Sequence, residues 1–149
     1  MSRKIFISYS HWNEHFAQRL YCDLERAGFG PWLDSQSIPL GEMWEHEIAE
    51  GIKSSSHIIL LASPHAAKSE YIRRELAIAS DLHIPVLIIQ AGGKDTELPS
   101  DWLSRQCANG TGGHYWSALR KLLNALKYKG PELRHLVAVH ACSLAARMA

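Results

Sequence analysis

Cysteine is scarce in this chain. Among 149 residues only Cys22, Cys107 and Cys142 are cysteines, the number is odd, and no C-x-x-C pair occurs. That excludes a disulfide-stapled framework and a zinc knuckle, and it points to free thiols in a reducing, cytoplasmic setting. Cys22 falls within a helical pattern and reads as a core position. Net charge is nearly absent too: 16 lysines and arginines against 15 acids leave +1. No global pull toward nucleic acid or an anionic membrane is expected from that balance. Long apolar runs are missing. The basic start "MSRKIFISYS" has too few apolar residues for a signal-peptide core, and no stretch nears the ~18 that suggest a membrane span.

Several signatures of chemistry are missing as well. Nine histidines invite a search for metal ligands. His46–Glu47 lacks the second histidine of H-E-x-x-H, and His135 and His140 do not share a helix face, so no metal site is expected. "AGGKD" and "NGTGGH" have neither the P-loop spacing nor the place of a G-x-G-x-x-G fingerprint, and both read as turns. No G-x-S-x-G occurs. A receiver domain would put acids at the ends of the first and third strands, which instead read "SYSH" and "ASPH". Ser8, Ser10 and Ser63 stand at strand C-termini, where α/β sheets bind ligands. They equally suit capping, and Ser63 before Pro64 reads as a cap.

What is present is an alternation of strand and helix. "KIFISY" (Lys4–Tyr9) is a short buried strand. Phe16, Leu20, Leu24 and Ala27 recur at spacing four on a helix that Gly28 stops. "FGPWL" (Phe29–Leu33) is a second strand, and Pro31 places it short or at an edge. The loop "DSQSIPLGE" (Asp34–Glu42) follows, then a helix carrying Trp44, Ile48, Gly51 and Ile52 on one side. "HIILLAS" and "IPVLIIQ" are apolar throughout, as strands covered on both faces are, and the helix "SEYIRRELAIASDL" joins them. This order predicts an α/β fold: a central parallel sheet of four to five strands with helices on both faces. A fifth strand near 106–109 carries little signal. "YWSALRKLLNALKY" is an amphipathic helix, Gly130–Pro131 breaks it, and a last helix spans about 132–148. The expected division is a domain over 1–130 and a C-terminal helix, an assembly contact or linker, over 131–149.

Glu75 is the residue that draws attention. On a helix its neighbours at three and four are Tyr71, Ile72, Ile78 and Ala79, none a cation. Glu70 can take Arg73 and Arg74 instead. Spacing alone leaves two readings open: a glutamate at the edge of a wet face, or a carboxylate held in a cleft for a developing cation or a hydroxyl.

"KIFISYSH", "PWLDSQSIPLGEMW" and "SSSHIILLASPHAAKSEYIRREL" together resemble a bacterial TIR domain (Toll/interleukin-receptor/resistance-protein domain). They are similar to its first strand, its second strand with the BB loop, and its third strand with the S-x-[WY]-x-x-x-E-L segment. The likeness covers about 3–89 well and 99–128 loosely, and residues beyond Gly130 fall outside it. Tyr71 stands where many relatives have Trp, and the acid after "SYS" is shifted to Glu14. The resemblance implies a flavodoxin-like fold and, as in many bacterial relatives, cleavage of NAD+ at the nicotinamide–ribose bond, with NAD+ as substrate and no cofactor. Glu75 is then the catalytic carboxylate. Tyr9, Ser10, Asp34, Gly41, Trp44 and Tyr71 are then the binding residues, with Trp44 equally suited to the core.

One acid suffices for this chemistry. Ordinary glycosidases need a second carboxyl to protonate a poor leaving group, whereas nicotinamide departs neutral from a cationic ring. Self-association through the BB loop, Asp34 to Glu42, is implied, with activity following assembly and other TIR-containing or sensor proteins as partners. The setting would be bacterial immunity or signalling. Products would be nicotinamide with ADP-ribose or a cyclic isomer. Two other readings remain: a non-catalytic TIR module that only assembles, and a nucleotide binder on a flavodoxin-like sheet. The third calls for a loop after the first strand richer in Gly and Thr than "SYSHWNEH".

Overall fold

The computed structural model describes residues 3–33, 44–105 and 107–127. Five strands form one sheet: β1 (Lys4–Ser8), β2 (Gly30–Leu33), β3 (His57–Ala62), β4 (Val86–Gln90) and β5 (Ala108–Asn109). All neighbours are parallel, in the order β2-β1-β3-β4-β5. Between them run α1 (Glu14–Arg26), α2 (Trp44–Lys53), α3 (Pro64–Ala67), α4 (Glu70–Asp81) and α5 (Ser100–Ser104), and α6 (Tyr115–Ala125) follows β5.

The sheet separates two apolar layers by strand alternation. Ile5, Ile7, Ile59, Leu61 and Ile89 pack with Leu20 and Leu24 of α1 and Leu119 and Leu122 of α6. On the other face Phe6 and Ile58 pack with Ile48 and Ile52 of α2 and Ala79 of α4. Leu60, Ala62 and Ile88 pack there with Ile72 of α4 and Trp102 of α5. Burying each such Ile or Leu contributes about 1.5–3 kcal/mol. β1 and β3 are therefore apolar along most of their length, while β2, with Pro31, lies at an edge. Pro31 costs no ladder bond there. The fifth strand exists but has only two residues, paired with Ile89 and Gln90.

Helix ends follow local rules. α1 closes on Gly28 at φ 90°, with Phe29 N–H on the Leu24 carbonyl and Gly28 N–H on that of Glu25. This is the Schellman pattern, which needs a left-handed residue. α4 repeats it at His83, φ 56°, with Ile84 N–H on the Ala79 carbonyl. Ser63 caps α3, accepting from Ala66 N–H at 3.1 Å.

Two expectations change. Cys22 is exposed rather than core. It lies two residues from both Leu20 and Leu24, about 200° around the helix from each, and Asp23 takes the inward position. The C-terminal amphipathic helix ends at Ala125, where Lys127 turns left-handed at φ 57°. Arg3 donates to the Leu126 carbonyl and ties this end to β1. The BB-loop segment and the helix expected at 132–148 lie outside the described residues, as does residue 130, where the domain was expected to end.

Candidate functional site

From β1 the chain goes one way along the sheet and from β3 the other, so the C-terminal ends of these adjacent strands form a topological switch point. Open α/β sheets bind ligands at such a switch point. Ser8 is the last residue of β1, in register with Leu60 of β3. It follows Phe6 by two and so faces the α2/α4 layer. Its side chain is fully buried.

α4 supplies the acid. Ser69 caps it, accepting from Ile72 N–H at 3.2 Å. Arg73 turns outward to Glu70 at 2.8 Å, on the solvated side. Ile72 and Ala79 turn inward, and Glu75 lies between them with 0% exposure. It stands at the seam between the two apolar clusters of that face. Ser8 Oγ donates to Glu75 Oε1 at 3.3 Å. Tyr71, one turn earlier, is 42% exposed.

Three of the other expected binding residues, Tyr9, Ser10 and Trp44, are among the described residues. Tyr9 is buried in the layer beneath α1 and α6, on the opposite sheet face from the Ser8–Glu75 pair. Strand alternation, continued one residue past β1, carries it there. Ser10 caps a short 3-10 turn, His11–Asn13, accepting from Trp12 N–H at 3.4 Å. Trp44 opens α2. Asp34 and Gly41 lie outside the described residues. In the sequence Ser8 stands out only as one of three serines at strand ends. Its position two residues after Phe6 was the available signal that it faces the α4 side.

The loops leaving β1, β3 and β4 meet at this end of the molecule. Gln90 Nε2 donates to the Gly93 carbonyl at 3.0 Å. Gly93, at φ 80°, lies so close to Pro64 that an added Cβ would stand 2.5 Å from its ring. The Trp12 indole stacks on the His65 imidazole at 4.8 Å between centroids and 16° between planes.

Chemically, Glu75 is a carboxylate withdrawn from water, held by a hydroxyl, at the end of a sheet. In low dielectric an ionised carboxylate interacts strongly with an adjacent positive charge. Among the described residues no group of three or more His, Cys, Asp or Glu side chains gathers as metal ligands, and no helix is long and apolar enough to cross a membrane.

A family model for the TIR domain matches residues 5–123. No match is found among curated proteins. The TIR domain of the Toll-related receptor TRR-2 from Hydra magnipapillata has the same fold. It is 18% identical, covers 83% of this chain and 97% of its own, and superposes with a TM-score of 0.71. The TIR domains of the activated Roq1 resistosome, which recognises the pathogen effector XopQ, are 19% identical. That match covers 83% of this chain and 72% of the Roq1 chain, with a TM-score of 0.54.

Proposed function

The chain belongs to the TIR-domain family, and on that premise we propose that it is an NAD+ glycohydrolase that works when assembled. The observation that carries this reading is Glu75: a fully buried carboxylate, hydrogen-bonded by Ser8, at the switch point of the sheet. In the proposed reaction the bond from ribose C1′ to the nicotinamide nitrogen lengthens. The pyridinium takes the electron pair and leaves neutral. Positive charge grows on the ribose, and Glu75 offsets it from close range. Ser8 acts through Glu75 by fixing the carboxylate's orientation. Water then captures C1′ and releases a proton to solvent, giving ADP-ribose, or an adenine nitrogen captures it, giving a cyclic isomer.

Full burial has a consequence. With no exposed surface, Glu75 meets a ribose only after the groups above it move. An isolated copy is therefore expected to be slow, and self-association through the BB loop, 34–42, is the proposed trigger. The Roq1 TIR domains lie within an activated resistosome, which supports assembly as the mode of control. Partners would be further copies of this chain or other TIR-containing proteins, in immune or other signalling.

The test is nicotinamide release from NAD+ across a wide range of protein concentration. The reading expects release per molecule to rise steeply as the chain associates. Intact NAD+ at concentrations where association is verified would leave a module that only assembles.

A further inference from the structure

Resting on the reading of Glu75 as the group that faces the ribose, we infer that the stacked Trp12–His65 pair seats the adenine at the other end of the substrate. Trp12 is 66% exposed, an unusual state for the largest side chain. It is nonetheless held. Ser10 Oγ accepts from the Trp12 backbone N–H, the Asn13 N–H closes the turn on the Ser10 carbonyl at 2.8 Å, and the ring lies nearly parallel to His65. His65 belongs to α3, which Ser63 caps and which the Pro64–Gly93 approach fixes against the loop after β4. One indole face rests on imidazole, and the exposure shows that much of the rest meets water. A flat, positioned, wet aromatic surface suits the π-face of a base.

Location selects the base. Trp12 follows Ser8 by four residues, which span at most roughly 14 Å. Both Trp12 and His65 emerge from the strand ends that form the switch point. Glu75 is deep and Trp12 is at the surface. The scissile bond must reach Glu75, so nicotinamide belongs at depth, and the substrate's second aromatic ring, adenine, belongs at the mouth. Stacking of this kind tolerates any base, so the seat contributes affinity and orientation more than selectivity.

The test is calorimetric titration of AMP and of nicotinamide mononucleotide into the wild-type chain and the Trp12→Ala, Trp12→Phe and Glu75→Gln variants. Circular dichroism checks that the surface substitutions keep the fold. AMP binding is expected to weaken about tenfold in Trp12→Ala, within the range that base stacking gives on truncation. Trp12→Phe should retain most of it, Glu75→Gln all of it, and nicotinamide mononucleotide should bind the wild type and both Trp12 variants alike. AMP binding that is absent in the wild type, or equal in Trp12→Ala, overturns the seat, including the case where Trp12→Ala only weakens self-association. Trp12-dependent AMP binding by a protein that assembles yet releases no nicotinamide sustains the seat and overturns the glycohydrolase reading instead.

Discussion

Two acids sit on opposite faces of the sheet, both withdrawn from water: Asp23 at 1% exposure and Glu75 at 0%. Asp23 is surrounded by partners. Tyr115 Oη donates to it at 2.6 Å, Arg26 stands 3.5 Å away, and the Arg19 guanidinium lies 3.7 Å over the Tyr115 ring. That cluster joins α1 to α6 and is spent on structure. Glu75 accepts from the Ser8 hydroxyl at the longer distance of 3.3 Å, while the nearby Arg73 goes to Glu70. It also stands at the switch point of the sheet, where Asp23 does not. Burial alone thus says little about an acid's role. Its place in the topology says more.

The largest stability effect expected is at Asp23. Asp23→Ala leaves Tyr115 and Arg26 without their acceptor and should cost about 3 kcal/mol in urea unfolding, with nicotinamide release per folded molecule unchanged. Equal loss of activity in the folded fraction would erase the contrast. Tyr115→Phe should cost about 1.5 kcal/mol and change the response to alkali. Burial, then the bond to Asp23, pushes the Tyr115 phenol well above its ordinary value of 10. The unfolded chain releases that proton near pH 10 and the folded chain keeps it. Stability is therefore full below pH 10 and falls as pH rises beyond it. Denaturation midpoints across pH 8–11 should show that decline in the wild type and less of it in Tyr115→Phe.

Ser8→Ala probes the other acid. It should slow nicotinamide release about tenfold, through lost orientation of Glu75, while costing about 1 kcal/mol of stability, at the low end for a buried acceptor because the bond is long. Full activity would make Ser8 a bystander. The smallest effect is at the far end of α4. His83→Gly relieves a left-handed residue, and should add about 0.5–1 kcal/mol in thermal unfolding without altering nicotinamide release.

Much of this arrangement could be read in the chain. β1, β3 and β4 declare themselves because strands covered on both faces are apolar at nearly every position. Gly28 declares the end of α1, and Pro31 the edge strand. β5 carries almost no signal because two residues cannot form a pattern. Cys22 misleads because residues flanking an apolar stripe are ambiguous until the packing partner is known. The Asp23–Tyr115 bond spans 92 residues and the Ser8–Glu75 bond 67, and no local periodicity encodes such contacts. Glu75 was half legible: the spacing marked it as set apart from its arginines, but only the fold places it at the switch point.

The central claim is that Glu75, not burial of acids in general, carries the chemistry. The direct measurement is nicotinamide release by the assembled wild type, Glu75→Gln and Asp23→Asn at equal folded concentration. Release should fall at least about a hundredfold in Glu75→Gln and stay at the wild-type level in Asp23→Asn. Release by Glu75→Gln at the wild-type rate would contradict it.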